Sequence, residues 1–198
     1  MGLIKYFSTH KYSVKDADVD IFVKFINTFE QKLKFDQDEK ESKALNISIE
    51  RYVSSLLESE PIDRKLMTAV MGLESLYTLD KERGENAFKL GIRVAKLLGN
   101  MGFDSTKVRE LTERAYFFRN TVVHGAYISQ KMQEQMNEIF PTILNYLRVS
   151  LIIFLLSPEL GKHKMINMID QATINEIQNE KLKEILKKHM DEFKPLLT

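Results

Sequence analysis

The 198-residue chain contains no cysteine. That absence removes disulfides, thiolate nucleophiles and cysteine-ligated zinc, and it suits a reducing compartment, with the cytoplasm as the default expectation. Helix breakers are scarce as well, with four prolines and eight glycines. Nowhere do β-branched residues alternate with polar ones over strand length between turn signals. An excess of one charge is also missing. Lys plus Arg (29) nearly balances Asp plus Glu (28), so no whole-molecule positive field exists, and any nucleic-acid site must be a local patch. Long apolar runs are lacking too: LIIFLLSP, from Leu151 to Pro158, falls far short of the roughly 20 apolar residues of a membrane span. The N-terminal MGLIKYFSTHKY has too short an apolar core for a signal peptide and no small-residue cleavage site. The expectation is a soluble protein with no membrane partner. A chain of this length can bury most of its unfolded surface in one core without a metal or disulfide staple.

What is present is helical periodicity. Ile21, Phe22, Phe25, Ile26, Phe29 and Leu33 lie on one stripe, with Asp18 or Asp20 near its N-terminal end. The charged KFDQDEKESK reads as a solvated connection, after which Leu45, Ile49, Tyr52, Val53, Leu56 and Leu57 rebuild an apolar face. SEPID then breaks and restarts the chain, with Ser59 or Glu60 ahead of Pro61 in a first-turn position. Leu66, Met67, Val70, Leu73, Glu74 and Tyr77 form the next stripe. FKLGIRVAKLLG ends at Gly99, and the DST beginning at Asp104 supplies an N-cap. Val108, Leu111, Ala115, Phe118 and Val122 follow, with Gly125 placed to stop that helix. A long helix is expected from about Ser129 to Leu156, kinked or divided at Pro141, and SPELGK separates it from a tail of two short helices.

The segment FFRNTVVHGAY carries the candidate chemistry. At about 100° per residue, Arg119 and His124 are roughly 140° apart, so they flank an edge of the helix end and do not share a face. A guanidinium stays charged and matches phosphate oxygens, whereas an imidazole can donate or accept a proton near neutrality. The pair suits cleavage of a phosphodiester by its own 2′-hydroxyl: arginine stabilises the extra charge, histidine moves the proton, and Asn120 orients either group. The plainer reading is that both residues complement the helix macrodipole, at about 0.3–1 kcal/mol each.

RNTVVHG resembles the arginine, polar residue, three residues, histidine motif of the HEPN superfamily (higher eukaryotes and prokaryotes nucleotide-binding domains). The upstream AVMGLESLYTLDKERGENAFKLGIRVAKLLG and LTERAYFFRNTVVHG look like the Apea-like branch in the order and spacing of their elements. The resemblance covers about residues 62–157. It implies an all-α helical bundle of four to five core helices, and the helical periodicity along the chain, with no linker between domains, extends this to one domain over 1–198. N-terminal helices would occupy about 17–57 and a C-terminal helical extension about 163–195. It further implies a homodimer whose motif helices face each other across a composite cleft, acting as a metal-independent endoribonuclease without cofactor. Toxin–antitoxin, abortive-infection or other antiviral systems are the implied setting, with RNA as partner and a cognate antitoxin or regulator as a further one. Arg119 and His124 would be catalytic and Asn120 supporting. Some members are noncatalytic, so a helical module that binds RNA, a nucleotide or a protein partner is the alternative. One toxin branch places a tyrosine two positions after the histidine as a nucleotide-transfer target. Here Gly125 and Ala126 intervene before Tyr127, and that regulation is not assigned.

Four further residues are candidates for support or RNA binding. Glu74 interrupts an apolar face and is available to hold Arg119, Arg114 or His124, or else to pair with a surface base. Arg114, like Glu113, is placed either for phosphate contact or for a surface ion pair, the latter favoured. Tyr116 and Tyr127 are candidates for stacking bases, although aromatics at helical spacing are more often core. His10, His163 and His189 are scattered, Asp191 lies too close to His189 for a ligand pair, and no metal site is assigned. The basic residues of KLKEILKKHM alternate with acids, as on a solvated face.

Overall fold

The structure, a computed structural model, describes residues 16, 19–35, 39–56, 60–79, 82, 84–157 and 160–190. Asp18, Leu57, Ser59, His10 and Asp191, and the side chains of Phe29, Leu33 and His189, lie outside the described residues. Among the described residues eight α-helices follow one another: α1 (Val19–Phe35), α2 (Glu39–Ser55), α3 (Ile62–Tyr77), α4 (Asn86–Gly99), α5 (Ser105–Val123), α6 (Gln130–Leu156), α7 (Gly161–Ile174) and α8 (Glu176–Met190). No strand occurs among the described residues, and the protein is all-α.

Local sequence explains most of the helix limits. The Asp104 carboxylate accepts hydrogen bonds from the amides of Thr106 and Lys107 and starts α5, satisfying donors that a helix N-terminus otherwise leaves open. The Ser129 hydroxyl does the same for Met132 at the start of α6. Elsewhere the observed limits correct some of the expected ones and match others. Pro61 is itself the N-cap of α3, one position earlier than a first-turn proline. As expected, α4 ends at Gly99; the left-handed turn that follows belongs to Gly102, at φ +94°. Glu39–Lys43, read as part of a solvated connection, form the opening of α2. The long helix runs as one element through Pro141.

The core gathers around α6, which packs against α1, α2, α3, α4, α5 and α8. By length and composition α6 could cross a membrane, yet 67% of its most apolar window is buried in the bundle, as befits a central helix. Leu66, Leu73, Leu97, Leu98, Met136, Ile143, Leu147 and Ile153 are fully enclosed. Such side chains each contribute about 1.5–3 kcal/mol relative to exposure. Tyr77 is buried completely, with its hydroxyl bonded to the Ser150 hydroxyl at 2.8 Å and its ring edge-on to Phe154. Helix α3 approaches its neighbours at Gly72, where an added Cβ would lie 2.8 Å from Leu147 Cδ2 and 3.3 Å from Arg51 Cβ. The Ser48 hydroxyl uses this closeness to donate to the Gly72 carbonyl.

The outer helices are less enclosed than their apolar stripes suggest. On α1, Phe25 packs on the core while Phe22 remains half-exposed; Val53 on α2 and Leu56 just past its end face outward. Helix α7 is secured by charge. Arg93 on α4 donates to the Tyr77 carbonyl, to both oxygens of Glu82 in the α3–α4 connection, and to both oxygens of Asp170 on α7. All five guanidinium N–H groups are thereby used.

Candidate RNA-binding and cleavage site

The motif helix α5 turns one face inward with Val108, Thr112, Ala115, Tyr116 and Phe118. Residues three and four apart share a face, so Arg119, three after Tyr116 and four after Ala115, is carried toward α3. There its Nη2 meets Glu74 Oε2 at 3.1 Å. Nη1 donates to Asn120 Oδ1 at 3.0 Å, and the guanidinium lies 5.7 Å from the centre of the Tyr116 ring. Nε is buried with no hydrogen-bond partner.

The two interior arginines therefore differ in kind. Arg93 has a saturated fork, whereas Arg119 meets one carboxylate oxygen and one amide oxygen and keeps a buried donor unsatisfied. A buried unpaired donor costs about 1–3 kcal/mol, so this geometry is not optimised for stability. Glu74 shares the tension. Burial raises its carboxyl above the usual carboxylate value, against the charge and hydrogen bond of Arg119 and a hydrogen bond from Tyr116.

His124 is the C-cap residue of α5 (φ −82°, ψ 4°), and its amide donates to the Asn120 carbonyl at 3.0 Å. Gly125, at φ +66°, donates to Val122 O, and Ala126 donates back to Thr121 O at 3.1 Å. These two reverse bonds close a Schellman turn, whose left-handed position favours glycine. The chain thus leaves the helix immediately after His124, whose side chain is exposed. Among the described residues its imidazole makes no hydrogen bond or ion pair with Arg119, Asn120 or Glu74. On an ideal helix Val123 and Asn120 fall at about 40° and 100° from Arg119, between it and His124.

The other candidates divide. Glu74 and Tyr116 join Arg119, and Tyr116 is buried and presents its ring to the guanidinium. Tyr127 is 87% exposed beyond the Schellman turn. Arg114 lies over the Phe118 ring at 5.7 Å, while Glu113 pairs with Arg109 at 2.8 Å. Two apolar neighbours of the motif, not among the sequence candidates, are exposed. Phe117 is 61% exposed and Val123 50%. Phe117, Thr121 and His124 are spaced i, i+4, i+7, which is one outward stripe. The signal was an aromatic pair, Phe117–Phe118, of which a helix can bury only one member on the core side. No protein-family model, curated protein or solved structure matches the chain.

Proposed function

We propose that the protein is a HEPN-type, metal-independent endoribonuclease that acts as a homodimer on single-stranded RNA or on an exposed loop. The observation that carries this reading is Arg119, an interior arginine with unspent donors, five positions before an exposed histidine at a helix end. Arg119 would hold a phosphate oxygen and stabilise the added charge as the 2′-oxygen attacks phosphorus. The P–O5′ bond then breaks. One imidazole takes the 2′ proton and another returns a proton to the departing 5′ oxygen. His124 of each copy supplies one of these roles, with Asn120 keeping Arg119 in place. The exposed Phe117 and Val123 support an apolar contact between two α5 helices, which relieves the separation of Arg119 from His124 within one chain. A toxin or antiviral setting, with a cognate antitoxin or regulator, follows from the motif resemblance alone, and the cytoplasm from the lack of cysteine.

The test is incubation with total cellular RNA in chelator. Wild type should yield fragments ending in 2′,3′-cyclic phosphate and 5′-hydroxyl, while Arg119→Ala and His124→Ala should yield none yet keep their helical circular dichroism. Cleavage that survives both substitutions would sink the assignment. A noncatalytic RNA-, nucleotide- or protein-binding module is the second reading, favoured by the absence of contact between His124 and Arg119 within one chain. It predicts binding that needs Arg119 and no cleavage by any variant.

A further inference from the structure

We infer that Glu74 is a built-in competitor for the phosphate site of Arg119, so that the resting protein keeps this site occupied by its own carboxylate. The inference rests on the reading of Arg119 as a phosphate contact. Three observations point to competition and not to a permanent brace.

The first is the stoichiometry of the contact. Glu74 reaches Arg119 through one oxygen at 3.1 Å, whereas the Arg93 fork meets each of its two acids through both oxygens. Bidentate pairing gives an arginine–carboxylate contact much of its strength and direction, and the Glu74 contact lacks it.

The second is what remains unused. Arg119 Nε is buried without an acceptor, so the guanidinium still has a donor to offer. Phosphate presents oxygens in a geometry that the Nε–Nη2 edge matches in bidentate fashion. An incoming phosphate that replaces Glu74 at Nη2 and also fills Nε would make one hydrogen bond more than it displaces.

The third is exposure. The Arg119 and Glu74 side chains retain 22% and 20% of their surface, which leaves the pair reachable from solvent, unlike Arg93 at 6%. Glu74 is fixed on the rigid helix α3 and cannot follow Arg119 if the guanidinium turns toward a ligand. It would then remain as a negative charge beside the phosphate. Carboxylate and phosphate oxygens compete for the same donors, and their like charges disfavour joint occupancy.

Glu74→Gln tests this, because the amide keeps the volume and an acceptor oxygen while removing the charge. The probe is a short single-stranded 2′-deoxy oligonucleotide of mixed sequence, which lacks the attacking hydroxyl and so reports binding without cleavage. Affinity at fixed salt should rise roughly two- to fivefold in Glu74→Gln, the scale of losing a partly exposed ion pair. The gain should vanish when Arg119→Gln is also present, and the Arg119 Nε–H resonance should shift on saturation. Unchanged or weaker binding by Glu74→Gln, with Arg119→Gln still impairing binding, would overturn the competitor role and leave the phosphate contact standing. A gain that persists in the Arg119→Gln background would also overturn it, as a general charge effect. If Arg119→Gln binds the probe as well as wild type does, the inference and the proposed phosphate contact both fall.

Discussion

Replacing Glu82 with Gln should cost the protein about 2 kcal/mol at pH 7, and the loss should disappear in acid. The carboxylate accepts from Nη1 and Nη2 of Arg93, and these bonds hold it near pKa 2, below its ordinary value of 4.5. Such a displacement corresponds to about 3 kcal/mol at about 1.4 kcal/mol per tenfold change. Because 17% of the side chain faces water, screening reduces the figure to about 2 kcal/mol. The folded state binds fewer protons here than the unfolded chain, so the contribution is complete above pH 4.5 and drains away as pH falls toward 2. Urea unfolding followed by circular dichroism, on wild type and Glu82→Gln across that range, isolates the effect, since all other carboxylates titrate in both proteins. The difference should be largest at pH 7 and shrink steadily below 4.5. A difference independent of pH, or one under about 0.5 kcal/mol at pH 7, would refute the assigned role of the Arg93 fork.

Two further substitutions examine the motif end. Gly125→Ala forces a side chain into the left-handed region at φ +66°, which should lower stability by about 1 kcal/mol. RNA cleavage should fall further than that loss explains, because the turn that releases His124 would be distorted; full activity in a measurably destabilised variant would separate the turn from the chemistry. Phe117→Glu places a charge at a site already 61% exposed, so the monomer should melt within about 0.5 kcal/mol of wild type. Light scattering should nevertheless show a shift toward monomer, and an unchanged dimer would exclude the α5 stripe as the contact.

Much of the fold is visible in the sequence because its signals are local. Asp104 and Gly125 mark their helix ends through backbone hydrogen bonds that need only nearby residues, and the stripe of Leu66, Val70, Leu73 and Tyr77 buries as its spacing predicts. Charge density makes Glu39–Lys43 resemble a linker, yet α2 opens there, because charged residues are also compatible with a helix's first turns. The candidate site is legible as a motif and less so as an arrangement. Periodicity separates Arg119 from His124, but nothing local tells that Glu74, on another helix, is Arg119's partner rather than that of Arg114 or His124. The Glu82–Arg93–Asp170 cluster is a contact between distant segments, and no spacing rule announces it.

Gly72 and Tyr77 bracket Glu74 on α3, and together they give that carboxylate a fixed address. A glycine pressed against Leu147 and a phenol tied to Ser150 remove sliding and rolling along α6 at two points about 7.5 Å apart on an ideal helix. Slippage to the next packing ridge would move Glu74 by about 5 Å, farther than its 3.1 Å link to Arg119 can stretch. The place of the Glu74 carboxylate beside Arg119 is thus indexed by a buried hydroxyl about one turn further along the same helix.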